Sequence, residues 1–184
     1  MNKHLLALAP LLLLAPFAQA DELDKSRVAA GTRWLAHVDV EAFFGSQLGK
    51  AIREHEDAEA DLGLEEIQDE LGIDPLKDLK SITLYSTSED PEDAVAIIST
   101  TANIERALER AREEESYRTF DADGMTLHSW TEAGEGGYAY IHDVSETERV
   151  VVLSDSQTRV MAGARVVRGQ SPNLKESASP QVTA

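Results

Sequence analysis

Between Ser81 and Ser154 the chain is written as short runs of alternating apolar and polar residues, each closed by a turn-forming cluster. That rhythm restricts the fold to a sheet of short strands. In Ser81–Thr87, Ile82 and Leu84 alternate with Thr83, Tyr85 and Thr87, and in Ala94–Thr100 Val95 and Ile97 share one side. Tyr117–Phe120 and Met125–Trp130 flank Asp121-Ala122-Asp123-Gly124, a hairpin sequence, and Tyr138–His142 and Arg149–Ser154 follow. Upstream, Trp34–Val38 reads as one more strand.

Helical spacing fills the gaps. Asp39 is placed to cap a helix carrying Val40, Phe43, Phe44, Leu48, Ala51 and Ile52 and running to His55. Leu64, Ile67 and Leu71 form the stripe of a second helix, stopped by Gly72, and Asp74-Pro75 starts a single turn ending at Leu79. A helix from Asn103 bears Ile104, Ala107, Leu108 and Ala111 and ends in Glu113-Glu114-Glu115, against its own dipole. The last carries Val160, Met161, Ala164 and Val167 and closes at Gly169. The resulting order, β-α-α-β-β-α-β-β-β-β-α, begins like the split β-α-β unit of ferredoxin-like folds. It predicts an α+β domain: an extended antiparallel sheet with its helices on one face.

Residues 1–20 have a different character. Lys3 and His4 precede an apolar run from Leu5 to Phe17, and Ala18-Gln19-Ala20 stands before Asp21-Glu22, the pattern of a secretory signal peptide cleaved after Ala20. The run is too short for a permanent membrane helix. The expected organisation is a signal peptide at 1–20, a leader at 21–32, a single domain at 33–170 and a disordered tail at 171–184. A periplasmic or secreted location follows, with no membrane insertion after cleavage. The chain has 0 cysteines, so disulfides, thiolate metal sites and a cysteine nucleophile are excluded. Its 34 acidic against 17 basic residues give a formal net charge of −17, which excludes nucleic acid as a partner, because that affinity rests on Lys and Arg neutralising phosphate.

Motifs of chemistry are scarce. His37, His55, His128 and His142 form no His-x-x-x-His pair, and neither His-Glu-x-x-His nor Gly-x-Ser-x-Gly occurs. Gly134-Glu135-Gly136-Gly137 joins two strands with no helix behind it, so it reads as a loop and not as a phosphate cradle. The carboxylates from Glu54 to Glu70 lack the spacing of a calcium loop and read as a solvated face. No catalytic residue, cofactor or metal ligand is assigned. One constellation stands out. If Met125–Trp130 and Tyr138–His142 form a hairpin, alternation sends Met125, Leu127, Ala139 and Ile141 to one side. It sends Thr126, His128, Trp130, Tyr138, Tyr140 and His142 to the other, with Tyr85 joining them. With helices over the aliphatic side, the aromatic and histidine side would be open, and Tyr85, His128, Trp130, Tyr138, Tyr140 and His142 would form a surface for a protein partner or a second copy.

Several phrases resemble a group of exported bacterial proteins of unknown function. They are Trp34-Leu35-Ala36-His37-Val38-Asp39-Val40-Glu41-Ala42, Gly72-Ile73-Asp74-Pro75-Leu76-Lys77-Asp78-Leu79-Lys80-Ser81-Ile82-Thr83-Leu84-Tyr85, Leu127-His128-Ser129-Trp130 and the stretch from Val151-Val152-Leu153-Ser154 to Gly169-Gln170-Ser171-Pro172-Asn173-Leu174. The resemblance spans residues 33–174 and supplies no catalytic or binding residues. The functional expectation is a non-enzymatic interaction module of the cell envelope working through the open sheet face. Two alternatives stand beside it: a hydrolase-type enzyme with a site near His37, Asp39 and Glu41, and a divalent-cation-binding acidic protein.

Overall fold

Turn chemistry sets the strand order. In the computed structural model, which describes residues 23–53, 64, 68–69, 72–132 and 135–177, Asp123 and Gly124 both adopt positive φ (51° and 68°). They make the two-residue turn that suits right-handed strand twist. It joins β4 (Arg118–Ala122) to β5 (Met125–Glu132). β6 (Glu135–Asp143) and β7 (Arg149–Ser154) extend this meander. A second meander consists of β1 (Trp34–Asp39), β2 (Leu79–Ser86) and β3 (Val95–Thr100). β7 pairs with β3, so the two merge into a 7-stranded sheet of order β1-β2-β3-β7-β6-β5-β4, antiparallel at every pairing.

The α+β class and the antiparallel sheet agree with the sequence reading. The ferredoxin-like start does not. A split β-α-β unit would set β1 beside β3, whereas β1 pairs with β2, Val38 opposite Ile82. The connection from Val40 to Asp78 is long enough for either path, and hydrophobic pattern alone does not choose between them.

Helices lie on both faces, not on one. α1 (Val40–Gly45) is capped by Asp39, whose carboxylate accepts from Ala42 N–H at 2.8 Å. Its Val40, Phe43 and Phe44 pack on Val38, Leu79 and Ile82 together with Leu64. α3 (Pro75–Asp78), capped by Asp74, joins that cluster through Leu76. α5 (Gln157–Val167) covers the opposite face. Its Val160 and Ala164 pack on Tyr85, Val95, Ile97, Leu127, Tyr140, Val150 and Val152. Ile97 and Ile98 are consecutive, point to opposite faces and serve the two clusters separately. α4 (Glu105–Glu113) connects β3 to β4.

The helix after Asp39 is broken. α1 stops at Gly45 and α2 (Gln47–Arg53) restarts after Ser46, whose hydroxyl accepts from Gly49 N–H at 3.1 Å. The restart rotates Leu48 outward, 39% exposed. Gly49 turns inward instead, where a Cβ would stand 2.3 Å from the Phe43 carbonyl oxygen.

The segment expected to be a leader is part of the fold. Lys25–Arg27 forms a 3-10 turn, Val28 is 1% exposed within the α5 cluster, and Arg27 donates to Ser99 Oγ at 2.9 Å. Ala29 bridges Asn173, Leu174 N–H donates to Val28 O at 2.8 Å, and α6 (Leu174–Ser177) packs on the 3-10 turn. Residues 171–177, expected as disordered tail, are therefore ordered through contacts with residues 25–30. The signal peptide, the second helix apart from Leu64, Gln68 and Asp69, most of the acidic stretch and residues 178–184 lie outside the described residues.

Candidate functional site

The expected aromatic face is divided by the register of one hairpin. Leu127 stands opposite Tyr140, His128 opposite Ala139 and Trp130 opposite Gly137. Paired residues share a face, so Tyr138, Tyr140 and His142 accompany Met125 and Leu127, while His128 and Trp130 accompany Ala139 and Ile141. A one-residue difference in pairing exchanges the faces of a whole strand. The single open surface expected from Tyr85, His128, Trp130, Tyr138, Tyr140 and His142 is therefore corrected.

On the α5 side, Tyr140 is 7% exposed and stands between Leu127 and Val152. Burial raises the pKa of its hydroxyl, which lies 3.4 Å from His142 Nδ1, and the two rings stack with centroids 6.2 Å apart. Tyr138 is partly buried against the same cluster. Tyr85 shares the face but lies on β2, separated from β6 by β3 and β7. On the other side, His128 Nδ1 lies 2.7 Å from the Tyr117 hydroxyl. Burial lowers the His128 pKa, and Arg112 adds to the effect. The Trp130 indole crosses the bare backbone of Gly137, where a Cβ would fall 2.6 Å from its Cζ2.

His37, Asp39 and Glu41 each have a local partner. His37 Nδ1 lies 2.8 Å from Thr83 Oγ1, and burial lowers its pKa against the opposing pull of Asp39. Asp39 caps α1, and Glu41 pairs with Lys80 at 2.7 Å. Among the described residues no group of three or more His, Asp or Glu side chains gathers as a metal site would.

Two features escape the sequence reading. The first is the aliphatic side of the central strands. Ile82, Ile98, Val151 and Ile141 form one cross-strand row, and Leu84, Ala96, Leu153 and Ala139 form the next. Leu84, Ile98, Ile141, Val151 and Leu153 are only partly buried. The described helices α1 and α3 pack on this face at β1 and β2, and α4 borders it at β5, where Arg112 acts on His128. The second feature is a cleft of about 350 Å³ between α5 and the paired segments at 29–31 and 171–172. Its floor is Tyr85 and Val95, and Ala30, Ala162, Val166 and Pro172 line its walls. Arg159 closes one rim, paired with both Asp93 and Asp155. Gly163 lets α5 approach the sheet closely beside the cleft, because a Cβ there would lie 2.9 Å from Val152 Cγ1 and 3.3 Å from the Tyr85 hydroxyl. A glycine within the stripe from Val160 to Val167 is the signal in the sequence that pointed to this close approach.

No family model, no curated protein and no solved structure matches the chain.

Proposed function

We propose that the protein is an exported, non-enzymatic interaction module of the cell envelope, and that it self-associates through the aliphatic side of its central strands. The observation that carries this is the pair of cross-strand rows: Leu84, Ile98, Ile141, Val151 and Leu153 remain partly exposed on adjacent strands. The opposite face holds Leu127, Val150 and Val152 at 0% exposure. Aliphatic side chains left partly exposed side by side on adjacent strands are the kind of surface that a partner covers. Flat apolar sheet faces stack on one another about 10 Å apart, so a second copy is a fitting occupant. The pattern at residues 1–20 supports export, and the resemblance to exported bacterial proteins supports an envelope location.

Charge makes the reading testable. Two copies at −17 each repel one another, and salt screens that repulsion over a Debye length of about 8 Å at physiological ionic strength. Association through an apolar face therefore strengthens as salt rises. Sedimentation velocity across protein and salt concentration should show a dimer favoured by salt. The double variant Ile141→Thr, Leu153→Thr, which keeps β-branched or strand-compatible side chains, should be monomeric and folded. A native protein that stays monomeric at high concentration and high salt contradicts the proposal.

A further inference from the structure

The cleft beside Tyr85 is independent of the aliphatic face and lies on the other side of the sheet. Tyr85 is 2% exposed, yet its hydroxyl has no hydrogen-bond partner among the described residues. The hydroxyl borders the cleft, where it can donate to or accept from a molecule that enters. The Tyr85 ring lines the cleft with Ala30, Val95, Ala162, Val166 and Pro172, and Thr87 and Ser171 also border it. The cleft, at about 350 Å³, falls at the small end of the range for ligand pockets.

The charges on the rim decide what kind of molecule fits. The Arg159 guanidinium is engaged by Asp93 and Asp155 and also donates to Ser154 Oγ at 3.2 Å. Asp93 in turn accepts from Ser88 Oγ at 2.8 Å. Neither charge is free to neutralise a ligand, and a protein of net charge −17 disfavours anions generally. Burial pushes the Tyr85 pKa up to about 12, so the hydroxyl stays protonated and can either donate or accept.

We infer that this cleft binds a small neutral amphiphile, its apolar body against Val95, Ala162 and Val166 and its single polar group hydrogen-bonded to the Tyr85 hydroxyl. The test uses N-phenyl-1-naphthylamine, a neutral fluorescent amine, as probe, with 1-octanol and octanoate as competitors. The purified protein should enhance the probe's fluorescence saturably, and 1-octanol should displace it at least tenfold more effectively than octanoate. Ala162→Phe places a ring at the rim from an exposed helix position and should abolish saturable binding while leaving the circular dichroism spectrum unchanged. Tyr85→Phe keeps the ring and removes only the hydroxyl, so 1-octanol should compete about threefold to tenfold less well, the loss of one hydrogen bond. Absence of saturable binding overturns the inference, as does binding that survives Ala162→Phe. Equal competition by octanoate refutes the neutral class, and an unchanged 1-octanol competition in Tyr85→Phe refutes the role of the hydroxyl.

Discussion

Replacing Tyr140 by alanine asks the β5–β6 register for a number. Tyr140 is 7% exposed, and its cross-strand neighbours Leu127 and Val152 are each at 0%. Truncating a buried aromatic ring removes its transfer free energy and leaves a cavity, which costs about 3–5 kcal/mol. Had the ring stood on an open face, as alternation with an even-numbered offset would place it, only a cross-strand pair worth ~0.2–1 kcal/mol would be lost. The two cases differ several-fold. Urea unfolding followed by far-ultraviolet circular dichroism separates them: with a slope of about 2 kcal/mol per molar, the midpoint should fall by roughly 2 M. Tyr140→Phe is the control. The contact of the hydroxyl with His142 Nδ1 is long, at 3.4 Å, so its removal should cost less than about 1 kcal/mol. A loss below about 1 kcal/mol for Tyr140→Ala would refute the assignment of this ring to the core.

Gly137→Val should destabilise the β5–β6 hairpin by about 1–3 kcal/mol despite the better strand propensity of valine, because its Cβ would meet the Trp130 indole at 2.6 Å; thermal unfolding checks this, and adding Trp130→Ala should recover part of the loss. Val28→Ala should cost about 2 kcal/mol in the same assay, whereas an unstructured leader would tolerate it without effect. Burial holds the pKa values of His37 and His128 below their ordinary value, so the folded state resists protonation that the unfolded chain accepts. Their contribution is therefore fully present above the unfolded pKa of about 6.5 and is lost as pH falls through that value toward the folded pKa. The double variant His37→Gln, His128→Gln should lose less stability than the parent between pH 8 and pH 5 in urea titrations.

Much of the fold is legible in the chain because turns and caps are local. Asp39, Asp74-Pro75 and Asp123-Gly124 each perform the task their residue types suggest, and Gly169 closes α5 with φ of 67°. What was not legible depends on distant partners or on parity. The β5–β6 turn brings Glu132 opposite Glu135, a two-residue connection, and that count sets Tyr140 against Leu127 instead of His128. Taking the whole of Glu132–Gly137 as loop hides the count, although Gly137 beneath a tryptophan is a clue to it. The break at Ser46 was written locally, as Gly45-Ser46 with Gly49 one turn later, but the apolar spacing continues across it. The ordered ends are a long-range effect. Val28 is buried in the α5 cluster and Asn173 where it pairs with Ala29, contacts between segments far apart in the chain that no window along the sequence reports. The Tyr85 cleft inherits that dependence, since Ala30 and Pro172 form part of its wall.

β5 and β6 pair so that Tyr140 and Trp130 stand on opposite faces of the sheet. Nuclear Overhauser contacts on the isotope-labelled protein measure it directly. Contacts are expected from the Tyr140 ring to the methyl groups of Leu127 and Val152, and from the Trp130 indole to the Gly137 α-protons. Contacts between the Trp130 indole and the rings of Tyr138 or Tyr140, with none from Tyr140 to Leu127, would contradict it.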